Sequence, residues 1–468
     1  MYPMAAVTAR TKDMTQGSPL KLIVFFSLPV LLGNLFQQLY NMADGIIVGQ
    51  FIGTDAFAAV GATGSMSFLI IGFILGCSSG FCIPVSQYFG AGNQRSMRRC
   101  VANIVWLGIA IAAIVTTVMM FATRRMLVLM DTPENIFEDS FLYIYIIFAG
   151  IPACMFYNVQ AGLMRAVGDS RSPLYFLIIS CAINVVLDIV FIAGLGTGVE
   201  GAALATVIAQ AISGVLCLIW IIKKFPLLHP HGAEWKPDVH EILHLVGIGL
   251  PMGFQFSITA IGAVILQSAV NTLGSDIIAS ISAASKIQNI VFAPMETLGL
   301  TMATYCGQNL GAGRIDRIRS GMRRCTALSL LLSVICCLFV TFCSGTVALL
   351  YIKPEETAIL ANIIHYLRVC GLFYPALCLI FVFRNSIQGM GYGVPAMTAG
   401  LFELIARAVV AIGFVRTVGF NAAILANTLA WVAADIFLIP MYIYVIHRVK
   451  HRQIQPEPQP NTTITQEN

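Results

Sequence analysis

Charge is what this chain has least of. Only 10% of its 468 residues are Asp, Glu, Lys or Arg, against the roughly 25% of an ordinary soluble domain. A surface so poor in charge is not built to face water, which argues against a soluble enzyme or a free binding module. The net charge of +5 sits in short basic clusters between apolar runs, so no nucleic-acid partner is expected. No ATP-binding domain accompanies the apolar runs, and an enzyme is not expected. Thirteen cysteines form no C-x-x-C pair and mostly fall inside the apolar runs, where free Cys acts as a small packing residue. His229, His231, His240 and His244 gather near mid-chain and are read as solvated loop histidines. The last residues, rich in Pro, Gln and Thr, have the composition of a disordered tail.

What the chain has in excess is apolar length. Hydrophobic residues make up 58% of it and mean hydropathy is +0.83. The apolar runs reach the ~20 residues that cross a bilayer as helix. They lack the in-out alternation of barrel strands, so the fold class is an all-α integral membrane protein. Twelve helices are expected, at roughly 20–47, 56–86, 97–122, 139–164, 173–193, 200–222, 242–270, 276–306, 321–350, 357–387, 395–415 and 421–447. Most of the 27 basic residues fall on one side of these helices. By the positive-inside rule both termini are cytoplasmic, in a cytoplasmic inner membrane. The polar start has no small-residue cleavage site and is not read as a removable signal.

The chain also repeats itself. Gln87-Tyr-Phe-Gly-Ala-Gly92 returns as Gln308-Asn-Leu-Gly-Ala-Gly313, each followed by Met-Arg-Arg-Cys (97–100 and 322–325). Leu28-Pro29 returns as Leu250-Pro251, Ile151-Pro152 as Tyr374-Pro375, and Arg165-Ala-Val-Gly168 as Gln388-Gly-Met-Gly391, at offsets between 221 and 225. The organisation is therefore a leader (1–19), a six-helix lobe (20–222), a cytoplasmic linker (223–241), a second six-helix lobe (242–447) and a tail (448–468). Six is even, so both lobes enter the membrane from the same side. Parallel repeats of this kind are built by transporters, with substrate bound at the repeat interface. Gly90, Gly92, Gly311 and Gly313 are read as turn glycines anchored by the arginines that follow.

Polar residues at bilayer depth mark candidate sites. Asn34, Gln37, Asn41 and Asp44 fall on one stripe of the first helix, with Tyr40 beside them. Asn184 and Asp188 lie one turn apart in the fifth, and Gln210 is in the sixth. Asp44 and Asp188 have only Ile265 or Leu266 and Val409 or Val410 at the repeat-related positions. A packing role would be wanted in both lobes, so the asymmetry points to ion chemistry in the first. Two carboxyls brought together out of water retain a shared proton readily, and the same oxygens with the Asn184 carbonyl and Thr206 hydroxyl suit a small hard cation such as Na+. The second lobe carries Lys286, Glu296, Arg368, Glu403, Arg407 and Asp435. Glu403 and Arg407 have ion-pair spacing, Glu296 and Arg368 are candidates for the cavity, and Arg165 and Arg384 are placed at cytoplasmic helix ends.

Pro29, Ala43-Asp44-Gly45, the paired GAG loops, Arg165-Ala-Val-Gly-Asp169 and Asn184-Val-Val-Leu-Asp188 together resemble the multidrug and toxic compound extrusion family over residues about 20–447. The resemblance implies two six-helix lobes around a central cavity. It implies export of small organic, often cationic, compounds against H+ or Na+, with no cofactor. It also implies a cation site at Asp44, Asn184, Asp188 and Thr206, and a helix bend at Pro29. Asn34, Gln37, Tyr40, Asn41, Gln210, Glu296 and Arg368 are the candidate substrate contacts, and a monomer is expected to suffice. A flippase of lipid-linked or other endogenous compounds on the same plan is the alternative.

Overall fold

In the computed structural model, which describes residues 12–454, long helices follow the apolar runs because a backbone in lipid must satisfy its own hydrogen bonds. The first lobe comprises α1 (Pro19–Phe51), α2 (Thr54–Ala62) with α3 (Gly64–Gly90), α4 (Gln94–Leu129), α5 (Glu134–Ala149) with α6 (Ile151–Ala166), α7 (Arg171–Asp188) and α8 (Val199–Lys224). The second comprises α9 (Val239–Val270), α10 (Ser275–Gly311), α11 (Ile315–Ala348), α12 (Thr357–Leu372) with α13 (Tyr374–Gly389), α14 (Gly393–Val418) and α15 (Phe420–Ile454). Among the described residues, ten helices are long and apolar enough to span a membrane. Counting each of the bent pairs α5–α6 (47°) and α12–α13 (53°) as one span brings the number to twelve. Both bends fall where the repeat places proline. Pro152 and Pro375 sit in the first turn of α6 and α13, where a missing N–H costs nothing and where the helix before them cannot run on unbroken through the ring. Large apolar side chains such as Phe121, Phe342, Ile412 and Ile436 stay exposed on the outside, as lipid contact requires.

Several boundaries differ from expectation. The second run is broken at Thr63. The last helix continues to Ile454, so residues 448–454, assigned to the tail, are helical; the rest of that segment lies outside the described residues, as do 1–11 of the leader. α1 passes Pro29 without interruption.

The two lobes meet at the end that carries the GAG turns. There α3 and α10 cross so closely that a Cβ on Gly90 would collide with the Gln308 carbonyl, and one on Gly311 with the Gln87 carbonyl. These two glycines are contact points, not turns. The turns are made one residue pair later by Gly92 (φ 68°) and Gly313 (φ 69°), which have open space around them. Hydrogen bonds then tie the lobes together: Gln308 Nε2 donates to the Ala166 carbonyl at 2.9 Å and Gln87 Nε2 to the Gly389 carbonyl at 3.1 Å. The segment before α1 crosses over as well. Met14 is buried in the core of the second lobe; its N–H donates to Gln308 Oε1, and its carbonyl accepts from Asn309 and Arg317. No interlobe hydrogen bond among the described residues lies farther from this end than the level of Ser257, whose hydroxyl donates to the Leu69 carbonyl.

The linker between the lobes is docked rather than loose. Two 3-10 turns, Pro226–Leu228 and Gly232–Trp235, place Glu234 in a two-bonded fork with Arg98 of α4 at 2.8 and 2.9 Å, and Arg99 pairs with Asp238 at 2.9 Å. The Arg98 guanidinium holds the Glu234 carboxyl down from 4.5 to about 2. A depressed carboxyl contributes its full stability above its ordinary value and loses it progressively as pH falls from there through the folded one. Pepsin cleavage in the linker is therefore expected to stay slow at pH 3.5 and accelerate near pH 2, whereas Glu234→Gln is cleaved readily at both. Equal rates for the two proteins at pH 3.5 would exclude the fork as the clamp.

Candidate functional site

α1 lies along the first lobe against α7 and faces α10 of the second, so its polar stripe is turned inward. Asn34, Gln37, Tyr40, Asn41 and Asp44 all line a cavity of about 710 Å³ between the lobes, with Thr206 and Gln210 of α8 and Glu296 of α10. Asn34 reaches across it, Nδ2 donating to Thr297 Oγ1 at 3.3 Å. Asn184 and Asp188 sit behind α1 and are fully enclosed. α7 brings them there and then changes to a π-helix, Ile189–Gly194, directly after Asp188; such wide turns recur where a helix serves a site.

The carboxyl of Asp188 lies within hydrogen-bonding reach of that of Asp44. Thr206 Oγ1 joins the group, 3.0 Å from the Tyr40 hydroxyl and accepting from Asn184 Nδ2 at 3.3 Å. Donors run out at that point. Asp44 Oδ1, both carboxylate oxygens of Asp188 and Asn184 Oδ1 are buried with no hydrogen-bond partner. A buried carboxylate without donors is costly to form, and a group of buried acceptor oxygens is relieved by a cation, whether a proton between the carboxyls or a small hard ion among the oxygens. Among the described residues there is no group of three or more His, Cys, Asp or Glu suited to a transition metal.

Other expectations need correction. Arg368 is exposed on α12 and donates to the Thr341 carbonyl at 3.3 Å, away from the residues that line the cavity; the turn that faces the bundle presents Leu367 instead. Lys286 is also exposed, its Nζ 5.9 Å from the Tyr351 ring. Glu403 pairs with Arg384 of α13 at 2.9 Å, not with Arg407, whose Nε and Nη1 are buried without partners. Sequence spacing finds neighbours along one helix, and here the nearer cation came from another. Arg384 is thus interior, whereas Arg165 does lie in the last turn of its helix, α6, and lines the cavity.

Two enzyme-like strings turn out to be structural. Gly76-Cys77-Ser78-Ser79-Gly80 has the spacing of a nucleophile elbow but lies within α3. Its glycines admit α9, with the Met252 carbonyl 2.5 Å from a Cβ on Gly76 and Gly249 Cα 2.6 Å from one on Gly80; the Ser78 hydroxyl donates to the Ile74 carbonyl. His240-Glu241-Ile242-Leu243-His244 has the spacing of a helical zinc protease. Both histidines are exposed on the first turns of α9, and Glu241 accepts from the Tyr88 hydroxyl at 3.1 Å.

Comparison with known proteins agrees with this architecture. The MatE family model matches residues 29–190 and again 251–412, one match per lobe. The chain is 27% identical over 391 residues to the probable multidrug resistance protein YpnP of Bacillus subtilis, covering 84% of this chain and 87% of that one. It is 21% identical over 396 residues to the FAD transporter of Shewanella oneidensis, covering 82% and 85%. In fold it matches the outward-facing conformation of a multidrug resistance MATE family transporter at a TM-score of 0.88, with 22% identity over 95% of this chain and 99% of that one.

Proposed function

Because this chain belongs to the MatE family of multidrug efflux transporters, we propose that it is an antiporter of the cytoplasmic membrane that exports small organic compounds by alternating access, driven by H+ or Na+. One observation carries the ion-coupling part: four buried acceptor oxygens of Asp44, Asn184 and Asp188 have no donor, and the repeat-related positions of the second lobe are apolar. A cation entering this cluster removes an electrostatic penalty from the state that holds it, and only a ligand with different affinity for two states shifts their populations. Tyr40 and Thr206 touch the cluster and also line the cavity, so ion and substrate share walls. This supports competition between them, as antiport requires.

The clusters of Arg and Lys lie at the end where the lobes are closed, and on the positive-inside rule that end is cytoplasmic. The conformation is then outward-facing, closed to the cytoplasm by the Gly90–Gln308 and Gly311–Gln87 contacts. One chain contains both lobes and the whole cavity, which favours a functional monomer. Rhodamine 123 efflux from proteoliposomes, with pH and sodium gradients imposed separately, tests the proposal. One of the two is expected to accelerate efflux by roughly tenfold or more over no gradient, the ratio that a differential affinity of about 1.4 kcal/mol supplies. Efflux indifferent to both gradients would rule out ion coupling.

A further inference from the structure

Among the described residues that line the cavity, Arg165 is the one cation, and nothing in the transport cycle proposed above uses it. It projects from the last turn of α6 at the closed end, where the next residue, Ala166, accepts the interlobe hydrogen bond from Gln308. Among the described residues it has no ion pair and no hydrogen bond. Its ionisable neighbours are the thiols of Cys82 and Cys217 and the phenol of Tyr157, with no carboxylate among them. The cavity's carboxylates are elsewhere. Asp44 lies toward the other end of α1, roughly 27 Å along the helix from Phe26 at the floor, and Glu296 lies within the electrostatic reach of Arg384.

The repeat shows that the fold does not require this charge. Gly168 and Gly391 hold the same turn, each at φ 90°, so Arg165 and Gln388 occupy equivalent places before it. Gln388 is neutral and satisfied, its Nε2 donating to Gln255 Oε1 at 2.6 Å. The first lobe has instead a guanidinium, five donors in a planar fork, facing the cavity with nothing to bind.

We propose that Arg165 is an anion-recognition site at the cavity floor, and that the substrates include organic anions whose carboxylate or phosphate group docks on it. The inference rests on the exporter reading for its biological meaning, but the site is tested by binding alone. A guanidinium takes such a group through two parallel N–H···O bonds. The Thr304 hydroxyl lines the same cavity from α10 and makes no hydrogen bond among the described residues, so it can add a third donor. The gradient of charge along the cavity, cation at the floor and acids above, would hold an anionic head down and leave the rest of the molecule toward the exit.

Two xanthene dyes of similar size and opposite charge test this by fluorescence anisotropy on the purified full-length protein: carboxyfluorescein, an anion, and rhodamine 123, a cation. The wild type is expected to bind carboxyfluorescein. Arg165→Gln should weaken that binding by roughly tenfold or more, the effect of losing a charged hydrogen bond, and leave rhodamine 123 binding unchanged or tighter. Arg165→Lys, which keeps the charge without the fork, should fall between them and covers the case in which the glutamine variant does not fold. The inference is overturned if the wild type does not bind carboxyfluorescein, if Arg165→Gln binds it equally well, or if both dyes weaken together. Rhodamine 123 efflux in the proteoliposome assay stands or falls separately, so loss of the exporter reading is distinguishable from loss of the site.

Discussion

Asp188→Asn is expected to give a protein at least as stable as the parent that no longer exports substrate under a gradient. Asp188 contributes two buried oxygens with no donor, beside Asp44 Oδ1 and Asn184 Oδ1 in the same condition. An asparagine keeps the size and replaces one acceptor by an NH2 group, which can donate to a neighbouring orphan oxygen. Relieving one unsatisfied buried polar group is worth about 1–3 kcal/mol, so the thermal transition in detergent should rise or hold. The same change removes a titratable, cation-attracting group, and the ion no longer discriminates between the two conformations. Asp44→Asn is expected to behave alike, and the double variant to be little worse than either single one, because residues of one site do not add. Substrate binding without a gradient is expected to survive. Efflux at the wild-type rate from Asp44→Asn and Asp188→Asn would reduce the pair to helix packing. A large fall in stability would mean that the carboxyls are held by donors not apparent in this conformation.

Gly90→Val and Gly311→Val should be the most damaging single changes for this folded state. At each position the new Cβ would fall inside the van der Waals shell of a carbonyl on the facing helix, Gln308 for one and Gln87 for the other. Backbone cannot swing aside as a flexible side chain does, so α3 and α10 must separate. Overpacking of ordinary cores costs about 1–3 kcal/mol; here the interlobe bonds of Gln87 and Gln308 are at risk as well. Gly92→Ala is the informative control. It meets no atom within 4 Å, and its only penalty is the positive φ, about 1–2 kcal/mol. The expected order of melting temperature is wild type, then Gly92→Ala, then Gly90→Val. If Gly92→Ala were the worse of the two, the motif would be a turn first and a contact second.

The sequence by itself determined the number of membrane crossings, the two-lobe repeat, the sidedness of charge and the polar stripe on α1. Each rests on a one-dimensional signal: apolar length matched to bilayer thickness, register of a duplicated pattern, or spacing by 3 and 4 along one helix. It also determined which residues were out of place in lipid, because Asp44 and Asp188 interrupt apolar runs and the repeat-related positions in the second lobe are apolar. Only the tertiary structure decided which of those residues meet. Asp44 and Asp188 are far apart in the chain and adjacent in space because α7 packs on α1. Glu403 turned to Arg384 on α13 although Arg407 stood one turn away, and Arg368, equally charged and equally embedded, faces outward. The glycines divide in the same way. Gly92 was legible as a turn, since positive φ is a local property of the chain. Gly90 was not legible as a contact, since what it avoids is a carbonyl more than two hundred residues away, brought there by the packing of two lobes.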